Sequence, residues 1–194
     1  MHGLVNRAIQ RFLCDTHGGE CWTHVARVAG VDPGGFEAML TYEDELTETV
    51  LEAAVARLDL PREMILEDLG TYLVSHPDLE ALRRLLRFGG ETFVDFLFSL
   101  DDLPERARLA VPDLELPELE LAEDTEGGVA IRCRGGWPGV EYVLQGMLRA
   151  LADDYGALAV LDVIERGPGQ ATVSVSLLDT AFHKGRSFSL VADR

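Results

Sequence analysis

Near Leu114 the spacing of apolar residues changes from helical to alternating, and that switch limits the architectures open to this chain. Before it, Leu4, Val5, Ala8, Ile9, Phe12 and Leu13 recur at three- and four-residue intervals, and Val25, Val28 and Ala29 resume the pattern after Gly18-Gly19. Asp32-Pro-Gly-Gly35 reads as a turn. Thr47 is the expected cap of a helix carrying Val50, Leu51, Ala54 and Leu58. Pro61 is the expected first-turn proline of the next, with Met64, Ile65, Leu69 and Leu73 on one face and Pro77 as its limit. Gly89-Gly90 then divides the Leu82–Phe88 segment from a stripe of Phe93, Phe96, Leu97 and Leu100. After the switch, Leu114, Leu116, Leu119 and Leu121 alternate with acids, and Gly127-Gly128 is the expected hairpin turn into Val129–Cys133. Residues 139–155 return to helical spacing, and two strand candidates, 159–164 and 171–177, are joined across Gly167-Pro-Gly169. Helices followed by strand-strand-helix-strand-strand predict an α+β fold: a helical N-terminal lobe, then a lobe with a small antiparallel sheet and packed helices.

At 194 residues the chain is long enough to bury one sizeable core, and 47% hydrophobic with 26% charged residues is an ordinary soluble globular composition. No apolar run approaches the roughly 20 residues that span a bilayer, and the N-terminus carries no basic-then-apolar signal, so the expected address is the cytoplasm. Three cysteines suit a reducing compartment rather than a disulfide framework. A formal charge of -17 argues against nucleic acid and anionic membranes as partners, because such binding rests on phosphate neutralisation. The plain reading of that charge is a solvated acidic surface; the sharper one is an acidic face that docks a basic partner protein.

Several landmarks in order carry a family resemblance. Met1-His-Gly-Leu-Val-Asn-Arg-Ala-Ile9, Ala29-Gly-Val31 and Leu69-Gly-Thr-Tyr72 lead to Phe88-Gly-Gly-Glu-Thr-Phe-Val-Asp-Phe-Leu97 and Ser99-Leu-Asp-Asp-Leu103. Val111-Pro-Asp-Leu-Glu-Leu-Pro-Glu-Leu119 and Val143-Leu-Gln-Gly-Met-Leu148 follow. In this order they resemble the heme-nitric oxide/oxygen-binding (H-NOX) domain, across residues 1 to about 178. The resemblance implies a single domain over 1–178, with a helical lobe over about 1–60 and a mixed lobe over about 61–178. Residues 179–194 are then a C-terminal extension, either a docking segment or a cap over the sheet. It also implies a cofactor, heme, held between lobes, and gas sensing that acts on a cyclase, histidine kinase or similar signalling protein. No output domain is read in this chain, so the expected output passes through a partner.

Carried onto this sequence, the family's iron-ligating histidine falls on Pro104, which has no donor atom to offer iron. Pro117 matches a proline that packs against heme. The family's Tyr-x-Ser-x-Arg clamp for the heme propionates falls on Cys133, Gly135 and Trp137, none of which supplies the charge-assisted hydrogen bonds such a clamp uses. A gapped register would bring Arg134 near the arginine position but breaks the match that follows. Physically, Pro104 predicts that a helix from Glu91 breaks near Leu103 and restarts at Pro104, with Asp101 or Asp102 as its cap. The aromatics Phe88, Phe93, Phe96, Phe98 and Trp137 are expected to fill space that a cofactor would otherwise take.

Substitute ligands are His76, before Pro77, and Cys133, whose thiolate could ligate iron. Both also read as ordinary helix-end and strand residues. Cys14, His17, Cys21 and His24 supply four zinc-type ligands, although their spacing runs across a helix break. No phosphate loop, nucleophile elbow or His-Glu-x-x-His motif is present, and the pairs Asp153-Asp154 and Glu43-Asp44-Glu45 read as solvated charge, so no enzyme activity is expected. Two functions stay open: a sensor of heme or another apolar ligand using other contacts, and a ligand-free protein-interaction module.

Overall fold

The computed structural model describes residues 1–123, 128–167 and 169–188. The chain divides into two compact units, Met1–Leu69 and Gly70–Arg194. In the first, α1 (Gly3–His17) and α2 (Gly19–Ala29) are separated at Gly18, and α2 packs against both α1 and α3 (Asp44–Leu58). Ile9, Phe12, Leu13, Trp22, Val25, Val50 and Leu51 are among its buried apolar residues. Thr47 corrects the expectation of a cap: α3 starts at Asp44, and Thr47 lies fully buried inside it, its hydroxyl donating to Asn6 Oδ1 at 2.7 Å. A buried hydroxyl without a partner is costly, and Asn6 supplies one. On α4 (Arg62–Ser75) the buried face is Ile65, Leu66 and Leu69, while Met64 is turned out to solvent.

The second unit begins within α4, which ends one residue before His76-Pro77, because proline disfavours a helical residue in front of it. A 3₁₀ turn (Pro77–Leu79) leads into α5 (Glu80–Arg87), α6 (Phe93–Phe98) and α7 (Leu103–Ala110). Then come β1 (Glu118–Glu123), β2 (Val129–Arg134), α8 (Val140–Tyr155), β3 (Leu158–Gly167) and β4 (Gln170–Asp179). The four strands form one antiparallel sheet in the order β1-β2-β4-β3. This is the α+β architecture that the change of period predicts. Leu114 and Leu116 precede β1, and Gly127 and Pro168 of the expected turns lie outside the described residues.

Strand alternation sorts the sheet into two faces. Ile131, Leu161, Val173 and Val175 point into a core completed by Leu144, Leu148 and Leu151 of α8, while Arg132, Arg134, Val160 and Ser176 face solvent. α4 approaches α8 so closely that a Cβ on Gly70 would lie 2.1 Å from the Val143 carbonyl oxygen. Only glycine permits that approach, which gives the Leu69-Gly-Thr-Tyr72 landmark a packing role.

Candidate functional site

The α6–α7 junction is built by local capping. Thr92 and Asp95 form a reciprocal box at the start of α6: Thr92 Oγ1 accepts the Asp95 N–H at 3.1 Å, and Asp95 Oδ2 accepts the Thr92 N–H at 3.1 Å. The helix therefore starts at Phe93 rather than Glu91. It ends at Phe98 in tightened three-residue bonds, Ser99 N–H to Phe96 O at 3.0 Å and Leu100 N–H to Leu97 O at 3.1 Å. α7 restarts at Leu103 with Pro104 in its first turn, where a missing N–H costs nothing. Asp102 occupies the cap position without a side-chain bond to the helix, so the expected carboxylate cap is not made. Pro104 itself is buried.

Cys133, Gly135 and Trp137 are brought together, with Gln170, around a concavity of about 300 Å³ at the end of β2. Among the described residues the only formally charged side chain lining it is Glu141. Burial, and then the Glu141 carboxylate, push the Cys133 thiol up to about 12, so the free side chain is a neutral thiol at neutral pH. Pro117 is buried beside this loop, 3.3 Å from where a Cβ on Gly136 would lie. Arg134 lines a different concavity, with Arg132 and Thr172, and pairs with Glu120 at 2.9 Å. The residues at these positions do not supply the contacts that the resemblance calls for: Pro104 has no donor atom for iron, and among the described residues no cation lines the Trp137 concavity to meet propionates. At pH 8 the Cys133 thiolate population is expected to be about a thousandfold below that of an ordinary cysteine. Alkylation of the native protein followed by mass spectrometry checks this; labelling of Cys133 at the rate of the unfolded chain would contradict it.

His76 is half-buried at the end of α4. Its Nδ1 accepts the Asp78 N–H at 3.3 Å and its ring lies 4.7 Å from that of Tyr72, so one ring nitrogen is committed to capping the 3₁₀ turn. The zinc-type set is not assembled: among the described residues no group of three or more His, Cys, Asp or Glu side chains is placed to hold a metal ion. Cys14 and His17 end α1, Cys21 is buried in α2, His24 is exposed, and burial raises both thiols. The aromatic group also divides. Phe93 and Phe96 are buried against Tyr155 at ring distances of 6.0 Å each, whereas Phe88 and Phe98 are exposed.

A polar cluster sits at the end of α8, and it corrects the expectation that both Asp153 and Asp154 are solvated charge. Asp153 is exposed, but Asp154 is 1% exposed and receives Arg83 Nη2 at 2.8 Å, Arg87 Nη1 at 3.4 Å and Arg186 Nε at 3.7 Å. Burial would lower the Arg83 guanidinium, but hydrogen bonding to Asp154 and its charge, then Glu80, outweigh it and the net direction is up. Arg87 also stacks on the Tyr155 ring at 3.6 Å. The stretch beyond β4 is laid against this cluster: His183 N–H donates to Gly156 O at 3.1 Å, Arg186 N–H to Asp154 O at 2.9 Å, and Arg83 to Ser187 O at 3.2 Å.

The Haem-NO-binding (HNOB) family matches residues 2–161. Among curated relatives, soluble guanylate cyclase 89Db of Drosophila melanogaster is 23% identical over 158 residues, which cover 81% of this chain and 24% of the relative. Soluble guanylate cyclase gcy-31 of Caenorhabditis elegans is 24% identical over 154 residues, covering 79% and 22%. The chain thus spans about a quarter of the length of these relatives. An H-NOX protein from S. oneidensis in its Fe(II)NO ligation state has the same fold, with a TM-score of 0.75 at 13% identity over 92% of this chain and 100% of that one. The Fe(II) unliganded H-NOX protein from K. algicida gives 0.77 at 15% over 95% and 100%. The chain belongs to the haem-NO-binding family, that is, to the H-NOX domains.

Proposed function

We propose that this chain is a sensory or regulatory domain of the H-NOX family that acts through a partner signalling protein and does not hold heme in the family's manner. The observation that carries the reading is Pro104, buried in the first turn of α7 at the position where the resemblance calls for the iron ligand. The supporting observation is a Trp137 concavity lined by Glu141 and, among the described residues, by no cation. In this reading the domain is 1–178 and the remaining residues are an extension; the chain is not itself an enzyme and works in the cytoplasm. Among the described residues no helix is long and apolar enough to cross a membrane, which is compatible with that address. The partner is a cyclase, a histidine kinase or a similar signalling protein, by family resemblance.

A second reading, a sensor of another apolar ligand, draws on the same concavity, whose volume of about 300 Å³ lies at the small end of ligand sites. Titration of the purified chain with hemin separates the two. The proposal expects weak binding that does not saturate at one heme per chain; tight one-to-one binding that shifts on addition of nitric oxide would overturn it.

A further inference from the structure

We infer that residues 180–188 form a strap that opens and closes as a unit while the sheet and α8 stay folded, covering and uncovering the Arg83–Asp154–Arg87 cluster. The strap has a specific seat and buries little, and a segment poised to open needs both. The seat is backbone meeting backbone at the end of α8. His183 N–H donates to Gly156 O at 3.1 Å, and Arg186 N–H donates to Asp154 O at 2.9 Å. Each approach needs a glycine. A Cβ on Gly156 would lie 2.1 Å from the His183 carbonyl oxygen, and one on Gly185 would lie 2.7 Å from the Asp154 carbonyl oxygen. A tail resting loosely on a surface makes no such approach. α5 adds the outer contacts: Arg83 donates to the Ser187 carbonyl at 3.2 Å, and the Arg87 guanidinium lies 3.6 Å from the Tyr155 ring centroid and 4.8 Å from that of Phe188.

Against these contacts stands the entropy lost in ordering nine residues that lie outside any helix or strand. Apolar burial offsets little of it. Phe182 is 59% exposed, His183, Lys184 and Ser187 are exposed, and no residue of 180–188 is buried. The Arg186–Asp154 pair, at 3.7 Å with the arginine 53% exposed, is screened by water. Opening also leaves the cluster beneath intact. Arg83 and Arg87 still hold Asp154 at 2.8 and 3.4 Å, and Glu80 holds Arg83 at 3.0 Å, so the buried carboxylate stays compensated without the strap. What opening frees is the Arg83 bond to Ser187 and the side of Arg87 that Phe188 meets. A ligand that binds the open form alone then shifts the balance by its differential affinity. The device rests neither on heme nor on the identity of a partner.

The test is amide hydrogen exchange of the full-length chain, followed by NMR. The His183 and Arg186 amides should be protected at least about tenfold over the unfolded chain, alike within about threefold, yet at least about a hundredfold less than amides of α8 and β4. Gly185→Ala should bring both to within about threefold of the unfolded chain and leave α8 and β4 unchanged, because its Cβ meets backbone rather than a side chain that can swing away. Phe188→Ala should raise the open population about two- to fivefold, the worth of an exposed cation–π contact. Lys184→Ala, a change at an exposed side chain, should leave both amides protected. Protection of His183 and Arg186 equal to that of α8 would overturn the inference, since the strap would then open only with global unfolding. So would no protection in the unsubstituted chain, retained protection in Gly185→Ala, or loss of α8 and β4 protection in that variant. Protection that rises with protein concentration, with a dimer in sedimentation that Gly185→Ala dissociates, would assign the strap to a neighbouring copy and overturn it as well.

Discussion

Asp154→Ala is expected to lower folding stability by about 3–5 kcal/mol, the usual consequence of removing one side of a buried ion pair and leaving its partner uncompensated. The magnitude follows from where the charges lie. Asp154 is 1% exposed, and Arg83 and Arg87, which donate to it, are 5% and 10% exposed, so water cannot replace the lost carboxylate. Loss of Asp154 should also release the stretch around Arg186, because Arg83 bonds Asp154 and the Ser187 carbonyl together. Arg186→Ala is the contrast. Its side chain is 53% exposed and 3.7 Å from the carboxylate, so the cost should stay below about 1 kcal/mol. Urea unfolding of both variants, followed by circular dichroism, gives the two numbers; similar losses would mean that the cluster is not organised around the α5–α8 pairs.

Phe96→Ala should cost a comparable amount, about 3–5 kcal/mol, from lost transfer energy and from the cavity left behind. Phe96 is 1% exposed, with ring centroids 6.3 Å from Phe93 and 6.0 Å from Tyr155, and the Tyr155 hydroxyl is tied to the Gly90 carbonyl at 2.9 Å. Neighbours held in this way collapse poorly into a void, which places the cost toward the upper part of the range. Phe98→Ala, one turn edge away and exposed, should change stability little. The difference between these two unfolding midpoints reports which aromatics fill the interior and which present a surface.

Much of the fold was legible because it rests on period. In the segment 139–155, read as a helix from its spacing, Val143, Leu144, Leu148 and Leu151 are buried while Val140 and Met147 are half-buried, and in the strand candidate 171–177 Ala171, Val173 and Val175 are buried. Thr47 misled because a threonine at a helix start and a threonine bonded to a distant asparagine look the same in one dimension; Asn6 lies 41 residues away. Asp154 carried a signal that was passed over. It continues the spacing Met147, Leu151, and an acid in an apolar stripe is either a break in the stripe or a buried, partnered charge. Arg83, its partner, sits beside Leu82 and Leu86 with nothing local to mark it. At the candidate site the helix restart at Pro104 was readable from proline chemistry, while the loss of the Asp102 cap depends on turn geometry that no residue type declares. The open edge of β1 was not readable at all, since strand order comes from tertiary pairing. The zinc-type set is the opposite case, four residues of suitable type that are not grouped to hold a metal ion among the described residues.

The most direct measurement is the absorption spectrum of the full chain purified from cells supplied with a heme precursor, quantified as heme per chain. The account predicts no stoichiometric Soret band, since Pro104 offers iron no ligand and, among the described residues, no cation lines the Trp137 concavity to meet propionates. A Soret band at one heme per chain would contradict it, and loss of that band in His76→Ala or Cys133→Ser would identify the substitute ligand.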